Sequence, residues 1–246
     1  MAAFVMTDTT LWFGTYDLQT VNDEIMLEFS QDEKPVTTFG SSGWKDIIGG
    51  LRSASASCGL LTDYATADFD LDTIANMNTT TPVSVVPDPS ATPAIGDTAM
   101  LFQAGRGSLG WGGSVGDVHR QNVTMSSRTQ SDTPLVAGEL AMVKGAYTAT
   151  ETTAGRQVGA ISAGQKLYAA LHVFATTGSP TWDVTIESDD NSGFTTATTR
   201  ITFSQLTAAG SAWSSVAGAI TDDYWRVVGT FGGTGSVTAA VTLGIA

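Results

Sequence analysis

Apolar and polar residues alternate strictly over two stretches of this chain. Trp182, Val184 and Ile186 alternate with Asp183, Thr185 and Glu187, and Leu167, Ala169, Leu171 and Val173 occupy every second position slightly earlier. A period of two puts one set of side chains on one face of a strand, so both stretches predict β-strands. Ile25, Leu27 and Phe29 repeat the pattern against Met26 and Glu28. Further strands are expected over residues 9–18, 51–61, 97–104, within 115–128, and over 135–145 and 200–203. Residues 224–231 and 237–245 are expected to form a closing hairpin across Gly232-Gly233-Thr234-Gly235. The one helix candidate is 68–78, where Asp68 or Asp70 caps and Leu71, Ile74 and Ala75 share a face. Short strands at this spacing predict an all-β fold with one short helix, built as a sandwich or barrel. The polar break at 148–156 divides the chain into a first β domain, 1–150, and a second β-sandwich, 151–246.

Between the strands at 25–29 and 51–61 lies a charged, Gly/Ser-rich span, 32–50, expected as a long loop. It carries Phe39, Trp44, Ile47 and Ile48, large apolar groups that need a surface to bury against. A neighbouring copy of the chain can supply one. These four, with Trp213 in another loop-like context, are the candidate intersubunit contacts.

Composition narrows the functional classes. Twenty-four acids against 11 bases leave a net charge of −13 in 246 residues, which argues against a surface that grips nucleic-acid phosphates. An apolar content of 42% is too high for a disordered chain. Cys58 is the one cysteine, so no intrachain disulfide is expected and a reducing compartment suits the chain. The first residues, MAAFVMTDTTLW, lack the basic and long apolar regions of a signal peptide, and no apolar run reaches the ~20 residues of a membrane helix.

Candidate chemistry is sparse. Gly105-Arg106-Gly107-Ser108-Leu109-Gly110 fits G-x-G-x-x-G, but Trp111-Gly112-Gly113 follows where a phosphate-binding helix would have to start, so a turn is expected. His119 and His172 with one cysteine do not make a tetrahedral metal site, and both histidines read as solvated or core residues. Asp189-Asp190-Asn191-Ser192-Gly193 resembles a calcium loop but lacks the bidentate acid at its twelfth position, so a turn is expected there. Asp222 and Asp223 are adjacent on a strand and point to opposite faces. No catalytic residue, metal or cofactor is assigned, and the chain is not expected to be an enzyme. The six tryptophans read as strand packing or as a carbohydrate platform, with Trp182 and Trp225 favouring the core.

The passage VTTFGSSGWKDIIGGLRSASAS, which follows an acidic strand and leads into a return strand, resembles the major tail tube proteins of long-tailed, siphovirus-type bacteriophages. LYAALHVFATTGSPTWDVTIESDD and ITDDYWRVVGTFGGTGSVTAAVTLGI resemble the C-terminal half of many phage tail proteins. The resemblance implies hexameric rings that stack into a hollow tube, their inner strands closing into one β-barrel around a lumen. It implies a virion protein assembled in the bacterial cytoplasm, with tape-measure and terminator proteins as partners and phage DNA passing without specific binding. Glu28 and Glu139, acids on predicted strands, are the lumen candidates. The competing readings are a carbohydrate-binding or adhesin-like β module and a minor virion decoration protein.

Overall fold

A computed structural model describes residues 8–38, 44–61, 74–77, 79–88, 92–128 and 135–246. Among these residues the chain is almost entirely strand, as the alternation predicts. No helix among them is long and apolar enough to cross a membrane.

The N-terminal part builds two facing sheets. In one, β1 (Asp8–Phe13) lies between β2 (Tyr16–Asp17) and β5 (Thr80–Asp88), and β5 pairs with the first half of β6 (Thr98–Gly112). In the other, β3 (Asn22–Pro35), β4 (Ile47–Leu61) and β7 (Arg120–Ser127) follow one another and end on the second half of β6. Leu11, Phe13, Val83, Val85 and Phe102 from the first sheet meet Ala56, Cys58, Leu60, Val123 and Met125 from the second. β6 joins the two. One of its edges carries β5 along Met100–Gly105. The other edge carries β8 (Val136–Tyr147) along Thr98–Leu101 and then β7 from Ala104 onward.

The C-terminal part is a second sandwich made largely from one ribbon. β11 (Lys166–Asp189) and β14 (Tyr224–Ile245) pair antiparallel from Leu167↔Ile245 to Asp189↔Tyr224. The ribbon folds over on itself. Leu167, Ala169, Leu171 and Val173 near one end share a core with Trp182, Val184 and Ile186 near the other. The near end is flanked by β13 (Gly210–Ala217) and β8. The far end is flanked by β12 (Thr198–Thr202) on one edge and by β9 (Glu151–Thr152) and β10 (Arg156–Gln157) on the other. Sandwich corners are commonly made by strands that bend from one sheet into the next.

The two sandwiches stack back to back. The other face of the β11–β14–β8 layer presents Leu140, Tyr168, Ala170 and Ala240, which pack with Trp12, Val86, Ala99 and Leu101 of the N-terminal sheet. Two middle layers are thus buried on both faces, which explains the nearly continuous apolar run LYAALHVF.

Several expectations change. The strand expected over 9–18 breaks at Gly14 (φ 59), so β2 turns back on β1. Gly105–Gly110 is not a turn: it lies within β6, and the chain reverses after Gly112. Residues 232–235 are not a hairpin but the corner of the continuous strand β14, because they pair with β11 across the bend. The loop expected over 32–50 is strand at both ends, since Glu33, Lys34 and Pro35 pair with Gly49, Ile48 and Ile47. Most of the helix expected over 68–78 lies outside the described residues; Ile74 and Ala75 are helical.

β8 precedes the polar break at 148–156, yet its Ala141 and Met142 belong to the C-terminal core and its Tyr147 stacks on Trp182 at 5.4 Å. A fragment covering 135–246 should therefore fold cooperatively on its own, whereas 148–246 loses β14's neighbour and should not. Circular dichroism with a denaturant titration checks both. At the ribbon corner, Gly235 has φ +105, and a Cβ there would meet the Thr177 carbonyl oxygen. Gly235→Ala should cost about 3 kcal/mol, because strain adds to a backbone clash. Gly164→Ala, at φ +90 with open space around it, should cost only about 1 kcal/mol in the same titration.

Candidate functional site

The span with the most exposed apolar surface is the distal half of the β3–β4 hairpin. Its proximal half is anchored. Ala54, Ala56 and Cys58 are buried, Ile25 and Leu27 pack against the same core, and β7 pairs with β4 as far as Ser55. Beyond that point β3 is β4's only strand partner among the described residues. Ser30 to Pro35 with Ile47 to Ser53 therefore stand out as a two-stranded arm, roughly 20 Å long at the usual rise per residue.

Local interactions hold the arm together. The Ser30 and Ser53 hydroxyls are 2.7 Å apart. Lys34 pairs with Asp32 at 3.1 Å, and the Asp46 amide donates to Thr37 Oγ1 at 2.9 Å. One extra residue on β4 between Arg52 and Gly49 forms a bulge, which bends and twists such a ribbon. An isolated hairpin is at best marginally stable in water, and this one keeps its apolar side chains outside the core. Leu51 is 80% exposed, Trp44 81%, Ile48 56% and Ile47 42%. Phe29 and Met26 are also exposed further down β3. Leu51, Phe29 and Met26 add exposed apolar groups beyond the contact residues singled out from sequence, Phe29 and Met26 on opposite faces of β3.

Of the other contact candidates, Phe39 lies outside the described residues. Trp213 sits on β13 rather than in a loop, opposite Ala170, and its ring lies 5.7 Å from Tyr168 in the buried seam between the sandwiches. A second exposed apolar group, Trp111, Val115 and Val118, sits at the β6–β7 turn. β6 beyond Gly105 has no strand on its second edge among the described residues, and β3 has none on its outer edge.

The lumen candidates separate. Glu28 pairs in register with Ser55 on the solvent face of the β3–β4–β7–β6 sheet. Ser53, Ser57, Ser108, Asn122 and Ser126 share that exposed face. Glu139 lies on β8, two sheet neighbours removed from β7, with Arg156 Nε 3.4 Å from its carboxylate. The tryptophans do not form a carbohydrate platform. Trp12, Trp182 and Trp225 are buried, and the exposed Trp44 and Trp111 lie on different hairpins.

The groups that could carry chemistry are occupied structurally. Burial pushes the Cys58 thiol up to about 12, while its contact with the Val123 carbonyl works weakly the other way. That keeps it a protonated, unreactive core residue. Asp189–Gly193 is the turn after β11. The Asp189 carboxylate accepts from the Asn191 and Thr196 amides at 3.2 and 2.7 Å, tying the turn to itself. The Asp222 carboxylate accepts from Ser188 Oγ at 2.6 Å and from Arg200 Nη2 at 2.9 Å, and these two donors hold its carboxyl below its usual value. Among the described residues no group of three His, Cys, Asp or Glu side chains could hold a metal ion.

No protein-family model and no curated protein matches the sequence. Solved structures do match. A chain of the virion of a native gene transfer agent particle is 18% identical over 54% of this chain and 98% of that one, with a TM-score of 0.43. A chain of the tail of an empty gene transfer agent particle, of C6 symmetry, is 19% identical over 47% and 81%, at 0.37. The Dit protein of phage SPP1, part of a hub adsorption apparatus, is 11% identical over 98% and 100%, at 0.36.

Because the arm lies outside the core, Ile48→Asp and Leu51→Asp should leave the stability of the single chain within about 0.5 kcal/mol. Ala56→Asp, four residues along the same strand from Arg52, places a charge in the core and should cost at least about 3 kcal/mol. Thermal and urea unfolding of dilute protein separate the two outcomes.

Proposed function

We propose that the chain is a structural subunit rather than an enzyme, and that its copies assemble into the rings and stacked tube of a phage-type tail. The observation that carries this reading is the arm. A protein that folds around its own cores has no internal use for Trp44, Ile47, Ile48 and Leu51 in solvent. Exposed apolar patches of this kind mark association sites. The two open strand edges, on β3 and on the far half of β6, support the same reading, since exposed edges invite strand addition unless something covers them. The resemblance of the Val36–Ser57 passage to major tail tube proteins supplies the identity of the assembly.

In this reading the rings are hexameric and the arm reaches the neighbouring subunit or ring. The hydroxyl-rich face carrying Glu28 is the lumen wall. Hydroxyls and scattered carboxylates hold DNA weakly, because they neutralise no phosphates and release no counterions. Like-charge repulsion from a chain of net charge −13 keeps the wall non-adhesive. The partners are other copies of the chain, tape-measure and terminator proteins, and the passing DNA; the place is the virion, after assembly in the host cytoplasm.

Negative-stain microscopy and sedimentation of the purified chain test the proposal. Wild-type protein should form rings or tubes. Trp44→Ala should raise the concentration needed for assembly about 30-fold, the equivalent of ~2 kcal/mol for a buried interface aromatic. Ile48→Asp should leave folded single subunits. A wild-type chain that stays monomeric at high concentration and binds glycan would overturn the reading in favour of a carbohydrate-binding module.

A further inference from the structure

The seam between the two sandwiches encloses a titratable side chain. His172, on β11, is fully buried. Its ring lies 5.7 Å from that of Trp12 and stacks on Phe174 at 6.1 Å. Nδ1 is 2.7 Å from the carbonyl oxygen of Gly14, which can only accept, so Nδ1 carries the proton. In the neutral ring Nε2 is then an acceptor, and the Ser84 hydroxyl 2.9 Å away donates to it. Ser84 Oγ in turn accepts from Thr242 Oγ1 at 2.7 Å. The chain of donors thus runs from Thr242 to Ser84 to His172 to Gly14. Ser84 and Gly14 belong to the N-terminal sandwich, His172 and Thr242 to the C-terminal one, so these bonds cross the seam.

The charged groups around this site are few. Asp17 on β2 faces it and is paired with Lys144 of β8, whose ammonium lies 5.3 Å from the Phe174 ring centre. β5, β14 and β13 present the neutral hydroxyls of Ser84, Thr242 and Ser211, the last opposite His172 in register. A protonated ring would reverse the hydroxyl chain and leave Thr242's proton without its acceptor. It would also place a full charge in a site closed to water, where Asp17 offsets only part of the cost because it is shared with Lys144.

We propose that His172 is an acid-sensitive latch, whose protonation opens the seam between the two sandwiches while each keeps its own core. Burial lowers its affinity for the proton, with a pKa pulled to about 4 against the opposing pull of the Gly14 carbonyl and Asp17. An unfolded or released histidine titrates near 6.5. The folded value is the lower one, so the latch contributes its full stabilisation above about pH 6.5 and loses it as pH falls toward 4. One proton is taken up on opening, so the open population should rise about tenfold per pH unit across that window.

Hydroxyl-radical footprinting of the full chain, read by mass spectrometry from pH 7 to 4 and normalised to a free peptide, reads this directly, because an opened seam exposes side chains while backbone pairing inside each sandwich persists. The expected result is that Trp12 and Tyr168 gain reactivity together with that slope, while Trp182 and Trp225 stay protected. In His172→Gln, which offers a donor and an acceptor without titrating, the slope should vanish. Nuclear magnetic resonance titration of the His172 ring gives a second reading that needs no variant, and it should show titration near pH 4. Seam protection independent of pH in the wild type would overturn the proposal. So would the same slope in His172→Gln, or a ring that titrates near 6.5 in the folded chain.

Discussion

The structure depends on one constraint: the β11–β14 ribbon must be buried on both faces. One face of its near half forms the core of the C-terminal sandwich, and the other face lies against the N-terminal sheet. Two strands of 24 and 22 residues are far longer than the five or six residues usual for a strand, and they cannot be covered on both sides while flat. Folding the ribbon over solves this, and the fold-over needs residues that can turn both strands without breaking their pairing. Gly178, Gly233 and Gly235 supply it with positive φ, at points where the backbones approach too closely for a side chain. The corner therefore sets the spacing of the C-terminal core, and the core sets the surface on which β1, β5 and β6 dock.

That docking is what leaves the β3–β4–β7 sheet at the outside of the stack. Its inner face fills the N-terminal core with small and medium side chains such as Ala54, Ala56, Cys58 and Val123. Its outer face carries hydroxyls, with Glu28 and Met26, and is exposed among the described residues. β3 and β4 run on past the last core contact because they pair with each other, which satisfies their facing backbone groups and leaves their side chains in water. The four-layer stack supplies stability from buried area. The arm and the open edges lie outside both cores and keep their apolar side chains in solvent.

The same layering distributes the polar groups. At the seam the buried histidine has a complete set of neutral hydrogen-bond partners, as buried polar groups require. At the ends of the C-terminal sandwich, Arg200 with Asp222 and Arg226 with Glu187 sit half-buried at strand ends, where water still screens them. These pairs pin strand ends and turns.

Period-two alternation was enough to determine the class of fold and the positions of most strands, because the pleat couples sequence parity to a face whatever the partner. Trp182, Val184 and Ile186 were legible as core for that reason, and the apolar content of the 36–57 passage was legible as an unmet need for a partner. Sequence parity does not say which strand lies beside which, so it could not distinguish a hairpin at 232–235 from a corner within one strand. Both begin with glycines at positive φ, and only the pairing of Gly235 with Gly178 decides. For the same reason the 32–50 span read as a loop: Glu33, Lys34, Gly49 and Gly50 have no buried face to alternate, and cross-strand pairing alone makes them strand. Trp213 and Glu139 were placed by neighbours far away in sequence, Tyr168 for one and Arg156 for the other. Local pattern determined which residues seek burial; the tertiary structure decided where burial was available, because a face is buried only when a distant segment of chain arrives to cover it.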